Sequence, residues 1–243
     1  MLLKQIQQDR HTMREHETES LSEQIARHIG EGIIRGELVE GERIQELRIA
    51  AELDVSRGSV REALLLLERT QLIEIYPRRG AIVSEMSAMQ VRALFDMAAL
   101  LLGHVVQRLA DHYRAHEAER IQLLLQQLEV EVKANNTEKF YDLIFQGLAR
   151  QQDIIANPYL MRVYHELLPS LRRSYFLALN ISKRELQDSA ELFKLVTDAV
   201  LIRKGQQASL FMEDFCRHLC HLVLESLTRM KQIELAWARR SRR

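Results

Sequence analysis

Residues 54–66, Asp-Val-Ser-Arg-Gly-Ser-Val-Arg-Glu-Ala-Leu-Leu-Leu, constrain the fold more than any other stretch of this chain. Val55 closes one short apolar helix, and Ser56 is placed to cap the next, its side-chain oxygen meeting orphan backbone N–H groups at the helix start. From there Val60, Ala63, Leu64 and Leu67 recur at helical spacing and define a face to be buried. Arg57, Ser59 and Arg61 fall in or near the first turn, off that face. Guanidinium forks and small hydroxyls at the N-terminal end of a helix have the chemistry to reach guanine edges and phosphates in a major groove. An amphipathic helix with solvated arginines is the plainer alternative.

The flanking segments favour the first reading. Leu21, Ile25, Ile29, Ile33 and Ile34 mark an amphipathic helix that stops near Gly36. A polar connection with two glycines follows, then a short helix from about Gln45 to Leu53. Beyond the 56–68 helix, Ile73 and Ile75 lead into Pro77-Arg78-Arg79-Gly80, and Ile82-Val83 lead out, which predicts a β-hairpin. A hairpin tipped with two arginines suits minor-groove or backbone contact. The expected DNA-contacting residues are therefore Ser56, Arg57, Gly58, Ser59, Arg61, Arg78, Arg79 and Gly80.

The run from Leu21 to Val83 resembles the winged helix of the GntR family of bacterial transcription regulators. The family pattern L-A-x-x-L-x-V-S-R-x-x-V-R-E-A-L-x-x-L-E is met by Ile49, Ala50, Leu53, Val55, Ser56, Arg57, Val60, Arg61, Glu62, Ala63, Leu64, Leu67 and Glu68. The chain departs from it at Glu40-Gly41, where Pro-Gly is usual, and at Gly58-Ser59, where Thr-Pro or Thr-Thr is common. The second departure lies on the base-reading surface. The resemblance implies a homodimer on a short palindromic operator of double-stranded DNA, acting as a repressor or an activator.

Charge argues for a few placed cations rather than a basic coat. The chain holds 34 basic and 34 acidic residues, and residues 1–87 hold 12 Lys and Arg against 16 Asp and Glu, a net of −4. Counterion release needs a basic surface, so non-specific coating of nucleic acid is not expected. The one basic run is the tail, where residues 229–243 carry six Lys and Arg against one Glu, and a frayed, solvated terminus is expected there.

The expected fold class is mainly α: an N-terminal winged helix-turn-helix, helices plus a small β-hairpin, followed by an all-α helical-bundle effector domain. The organisation reads as a polar segment over 1–19, the winged unit over 20–86, an all-helical effector and dimerisation domain over 87–231, and a basic tail over 232–243. Helices are predicted at 87–112, 115–134, 137–156, 158–179, 183–203 and 206–231, with a short further helix leading into the tail. No apolar run reads as long and uncharged enough to cross a membrane, and no signal peptide stands out. Two cysteines are too few for a disulfide framework and fit a reducing, cytoplasmic setting without a membrane partner.

The helical part resembles the FCD effector domain of the FadR branch, through Leu94-Phe95-Asp96, Asp142 to Phe145, Ala156-Asn157-Pro158-Tyr159-Leu160, Asp198-Ala199 and the Ala208 to Met212 stretch. Most members of that branch bind a divalent metal through one aspartate and three histidines. Here the aspartate is Asp142, while the histidine positions fall on Gln146, Phe193 and Phe215, and a substrate-gripping arginine falls on Ala98. One carboxylate, an amide and two phenyl rings are a poor ligand set, so neither a metal nor a cofactor is expected. The resemblance of residues 140–160 to the fatty-acid-responsive regulators implies an apolar effector, an acyl-CoA or fatty-acid-like molecule.

The pocket candidates are Ala98, Asp142, Gln146, Arg150, Phe193 and Phe215, with Arg172, Arg173 and Tyr175 as further candidates for an anionic head. Three alternatives stay open: rings that fill the old cavity with no ligand, a small organic acid, or a metal-dependent effector. Cys216, Cys220, His218 and His221 form a possible but poorly spaced metal cluster, equally suited to a packed helix face. No nucleophile–base pair, glycine-rich phosphate loop or HExxH motif marks an enzyme.

Overall fold

The computed structural model describes residues 19–178 and 182–240, except for the side chains at 116, 152, 153 and 234–240. The polar segment up to residue 18 and the last three residues of the Ala-Arg-Arg-Ser-Arg-Arg ending lie outside the described residues. The chain divides into two compact units, Met1–Glu85 and Met86–Arg243.

The first unit opens with α1 (Leu21–Ile34), begun by a reciprocal cap in which the Ser20 hydroxyl accepts from the Glu23 N–H and the Glu23 carboxylate accepts from the Ser20 N–H. These bonds, backbone first, hold the Glu23 carboxyl below its ordinary value. Gly36, at φ +73°, ends the turn after α1 as the sequence predicts. Helices α2 (Glu46–Leu53) and α3 (Arg57–Arg69) follow, joined through Asp54, which adopts a left-handed conformation. Strands β1 (Ile73–Tyr76) and β2 (Gly80–Val83) pair antiparallel from Ile73 opposite Val83 to Tyr76 opposite Gly80. Ile25, Ile29, Ile33, Val60, Ala63, Leu64, Leu67, Ile73, Ala81 and Val83 form a single core.

The segment before α2 does more than connect. Residue 41 donates its N–H to the Val83 carbonyl at 3.0 Å, the Val83 N–H donates to Glu42 at 2.9 Å, and the Ile44 N–H donates to Ala81 at 2.9 Å. Arg43 thereby bridges to Ile82 and lines the free edge of the hairpin. Gly41 turns the chain into this pairing at φ +77°. The Gly of the family's Pro-Gly is therefore kept where the backbone needs it.

The second unit is all α: α4 (Ala88–His112), α5 (Ala115–Lys133), α6 (Thr137–Ala149), the single turn α7 (Gln152–Ile155), α8 (Pro158–Phe176), α9 (Lys183–Leu201) and α10 (Gly205–Arg240). Three expectations need correction. The predicted 137–156 helix is two, because Arg150 caps α6 and the chain re-enters helix only at residue 152. The basic tail is not a separate extension: α10 continues without interruption to Arg240.

The third correction concerns α4, which does satisfy the length and composition of a membrane-crossing helix, with a mean hydropathy of 1.4 over an 18-residue stretch of it. Its apolarity has a packing origin. Val91, Phe95, Ala98, Leu102, Val105, Val106 and Leu109 are buried against α7, α8, α9 and α10, while Met89, Met97 and Leu100 lie exposed. At Gly103 an added Cβ would stand 2.7 Å from the Ser209 hydroxyl, so α4 and α10 approach closely there.

Candidate nucleic-acid interface and effector pocket

The Ser56 hydroxyl accepts from the Ser59 N–H at 3.0 Å and lies 2.9 Å from the Ser59 hydroxyl. Both hydroxyls are thus engaged in starting α3. Burial of Val60, Ala63, Leu64 and Leu67 fixes the rotation of the helix, so Arg57, Gly58, Ser59 and Arg61 lie off the core. Arg61 is held in place: its Nε donates to a Glu46 carboxylate oxygen at 2.8 Å, and an Arg57 terminal nitrogen lies 3.9 Å from that oxygen. Glu46 belongs to α2, so the two helices jointly place the arginines.

At the hairpin tip Arg78 takes a left-handed backbone conformation, φ 65°, and Gly80 one of φ 80°. The Arg79 guanidinium sits over the Tyr76 ring, 5.8 Å from its centre, and the Tyr76 hydroxyl hydrogen-bonds to Glu74. Two nitrogens of Arg43 lie 3.7 Å from the point where residue 80 would carry a Cβ. Arg43 thus joins Arg78 and Arg79 as a third cation of the hairpin.

In the helical unit the six pocket candidates do not line one cavity. Ala98 is sealed within α4. Asp142 accepts from the Arg172 Nε at 3.1 Å and from the Tyr175 hydroxyl, so α8 already uses its charge. Phe193 and Phe215 pack on each other, ring centres 5.4 Å apart and inclined by 57°, and both are buried. Gln146 and Arg150 instead line a groove between α5 and α6, with Arg120, Gln127 and Gln151. That groove has a volume of about 140 Å³, below the ~300 Å³ at which small-molecule pockets begin.

Around these residues the interior is aromatic. Tyr175 stacks on Phe145 with ring centres at 5.4 Å, and Tyr141 lies 5.2 Å from Tyr175. The Tyr164 hydroxyl donates to the Phe145 carbonyl at 2.5 Å. A polar thread crosses this core: the Tyr141 hydroxyl is 3.0 Å from the Ser189 hydroxyl, which lies 2.9 Å from His218 Nε2. Burial pushes the Tyr141 hydroxyl well above its ordinary range and pulls the His218 imidazole below its own. The cysteine cluster does not converge. Cys216 is buried, its thiol pushed up to about 12 by burial, whereas His221 points to solvent and pairs with Glu225 at 3.6 Å. Among the described residues no three His, Cys, Asp or Glu side chains gather as metal ligands.

Comparison with known proteins agrees with this layout. Residues 21–83 match the gntR family of bacterial regulatory proteins, and residues 93–218 match the FCD domain. The chain belongs to the GntR family. The gluconate operon transcriptional repressor of Bacillus subtilis (strain 168) is 26% identical over 156 residues, 63% of each chain. The HTH-type transcriptional repressor RspR of Escherichia coli (strain K12) is 26% identical over 126 residues, 52% of this chain and 55% of that one. These alignments thus span just under two thirds of the first repressor and about half of the second. The relatives are regulators, not enzymes. The structure of E. coli McbR/YncC superposes with a TM-score of 0.73 at 18% identity, covering 86% of this chain and 99% of that one. A GntR regulator from Rhodococcus sp. RHA1 superposes at 0.67 with 17% identity, covering 84% and 97%. Both likenesses concern the fold alone.

Two GntR-unit residues escaped the sequence reading. Glu46 carries no signal of its own, since its role depends on the crossing of α2 and α3. Arg43 had one: Ile44 is buried and Arg43 exposed, an alternation that marks an extended edge.

Proposed function

We propose that this GntR-family chain is a sequence-specific DNA-binding transcription regulator that works in the cytoplasm as a homodimer, each winged unit reading half of a short palindrome. One observation carries the reading: a Ser56-capped helix, locked to its core by four buried residues, presents Arg57 and Arg61 at its exposed N-terminal end. Arg61 reads a guanine, and Ser56, Gly58 and Ser59 allow close approach to the backbone. Arg78, Arg79 and Gly80 carry the wing into the neighbouring groove or phosphates. Repression is the mode assigned, in line with the repressors it resembles. Selection of duplexes from a random pool tests this: one palindromic motif should be enriched, and enrichment of none overturns the reading.

The exposed stripe of α4 supports the homodimer. Large apolar side chains on the outer face of a helix are ordinarily covered, and Leu100 is 71% exposed here, with Met89 and Met97 also exposed. A second copy meeting it about a two-fold axis covers both stripes at once. Leu100→Glu should then yield monomers in analytical ultracentrifugation, and an unchanged dimer excludes this face.

For the signal, the ring-to-ring packing of Phe193 and Phe215 supports the filled core over an acyl-CoA pocket. An acyl chain would have to separate those rings, and the α5–α6 groove, although Arg120 and Arg150 line it, is smaller than an ordinary ligand pocket. Native mass spectrometry of the freshly purified chain decides among them: a co-purifying acyl-CoA restores the apolar pocket, and one zinc per chain restores the metal.

A further inference from the structure

Glu46 opens α2 and is partly covered, its side chain 27% exposed against 61% for Arg61 and 53% for Arg57. A single carboxylate oxygen serves both guanidiniums, at 2.8 Å and 3.9 Å. As stabilisation this is minor, since solvent screens an exposed ion pair and ordering two long side chains offsets what attraction is left. Its effect on the two arginines as ligands is larger.

A guanidinium has two usable hydrogen-bonding edges, one containing Nε and one formed by the two terminal nitrogens. The Glu46 bond is made to Arg61 Nε. It occupies the first edge and leaves the terminal pair, the edge that matches guanine O6 and N7. The bond also ties a long, freely rotating side chain to the rigid start of α2, so Arg61 meets DNA already oriented. The carboxylate further offsets part of the positive charge of Arg57 and Arg61, which otherwise attracts any phosphate backbone equally well. In a unit whose net charge is negative, this leaves little gain from DNA lacking the right base.

Resting on the base-reading role of Arg61 proposed above, we infer that Glu46 is a specificity-determining positioning residue. It fixes the guanine-facing edge of Arg61 and suppresses non-specific phosphate binding by Arg57 and Arg61. On the operator the base contact repays the carboxylate's presence near the phosphates, and elsewhere nothing does.

The test measures affinity for the duplex enriched by the wild-type chain and for a scrambled duplex, across a salt series. The proteins are full-length wild type, Glu46→Gln, Glu46→Ala, Arg61→Ala and the Glu46→Ala/Arg61→Ala double variant. Circular dichroism confirms that each is folded, and Glu46→Gln keeps the side-chain volume if Glu46→Ala perturbs α2. Both Glu46 variants should bind scrambled DNA more tightly and cut the operator-to-scrambled ratio by about 10-fold, with a salt slope steeper by about one unit. In the Arg61→Ala background the Glu46 effect on the ratio should largely vanish. An unchanged ratio in both Glu46 variants overturns the inference, as does an equal loss with and without Arg61. If Arg61→Ala itself leaves the ratio intact, the base-reading assignment fails instead.

Discussion

The Tyr175 hydroxyl donates to the same Asp142 carboxylate that takes the Arg172 guanidinium. The carboxylate that the resemblance to the FadR branch places at a metal-ligand position is here used to hold α6 and α8 together. Burial and the neighbouring carboxylate both push the Tyr175 hydroxyl above its ordinary range, so it remains a protonated donor. Asp142→Ala should take this acceptor from the buried Tyr175 hydroxyl and remove one partner of Arg172, at a cost of about 1–3 kcal/mol in chemical denaturation. Tyr175→Phe, which removes only the donor, should cost less. Zinc titration should leave the melting temperature of the wild-type chain unchanged, and a zinc-dependent rise would contradict this use of Asp142.

Phe193 and Phe215 make the second relationship that can be measured. Either one replaced by Ala opens a cavity in a close-packed interior, for an expected loss of about 3–5 kcal/mol. The double variant should lose less than the sum, because the ring–ring contact contributes roughly 0.5–1.5 kcal/mol of coupling. Additive losses would mean that the rings act separately.

In the winged unit, Ser56→Ala should cost about 1 kcal/mol through loss of the α3 cap, with Ser56→Gly milder. Gly80→Ala should cost about 1–2 kcal/mol from its left-handed backbone alone, since the added Cβ meets only ordinary contacts 3.7 Å away. Denaturation followed at the first unit measures both.

His218 sets a pH dependence. Burial lowers its affinity for a proton below the ordinary 6.5, opposed by the nearby Asp188 and Glu185 charges and by the backbone at Glu185. The unfolded chain therefore binds more protons just below pH 6.5, and stability is lost as the pH drops through that window. Above it the contribution is fully present. His218→Gln should flatten the stability profile between pH 7 and 5, whereas a profile as steep as wild type would assign the effect to another group.

Much of this protein is legible without coordinates, for a local reason in each case. Ser56 followed by Val60, Ala63, Leu64 and Leu67 specifies a capped amphipathic helix, because capping and helical periodicity act over a single turn or two. Pro77 to Gly80 between alternating apolar residues specifies a hairpin for the same reason.

What escaped are relations between elements. The break at Arg150 carries no glycine or proline to announce it. The apolar run of α4 hid its length because Asp96 and Arg108 interrupt it. The direction of Gln146 toward α5, away from the Phe193–Phe215 pair, depends on the rotation of α6 in the bundle. So does the Glu46 bond to Arg61, which joins residues 15 positions apart on crossing helices. Residue type and spacing determine which helices and turns form and where the arginines of α3 and the hairpin fall along them. Tertiary packing alone decides which charges meet and whether an ancestral cavity stays open, because both depend on how buried faces rotate against one another.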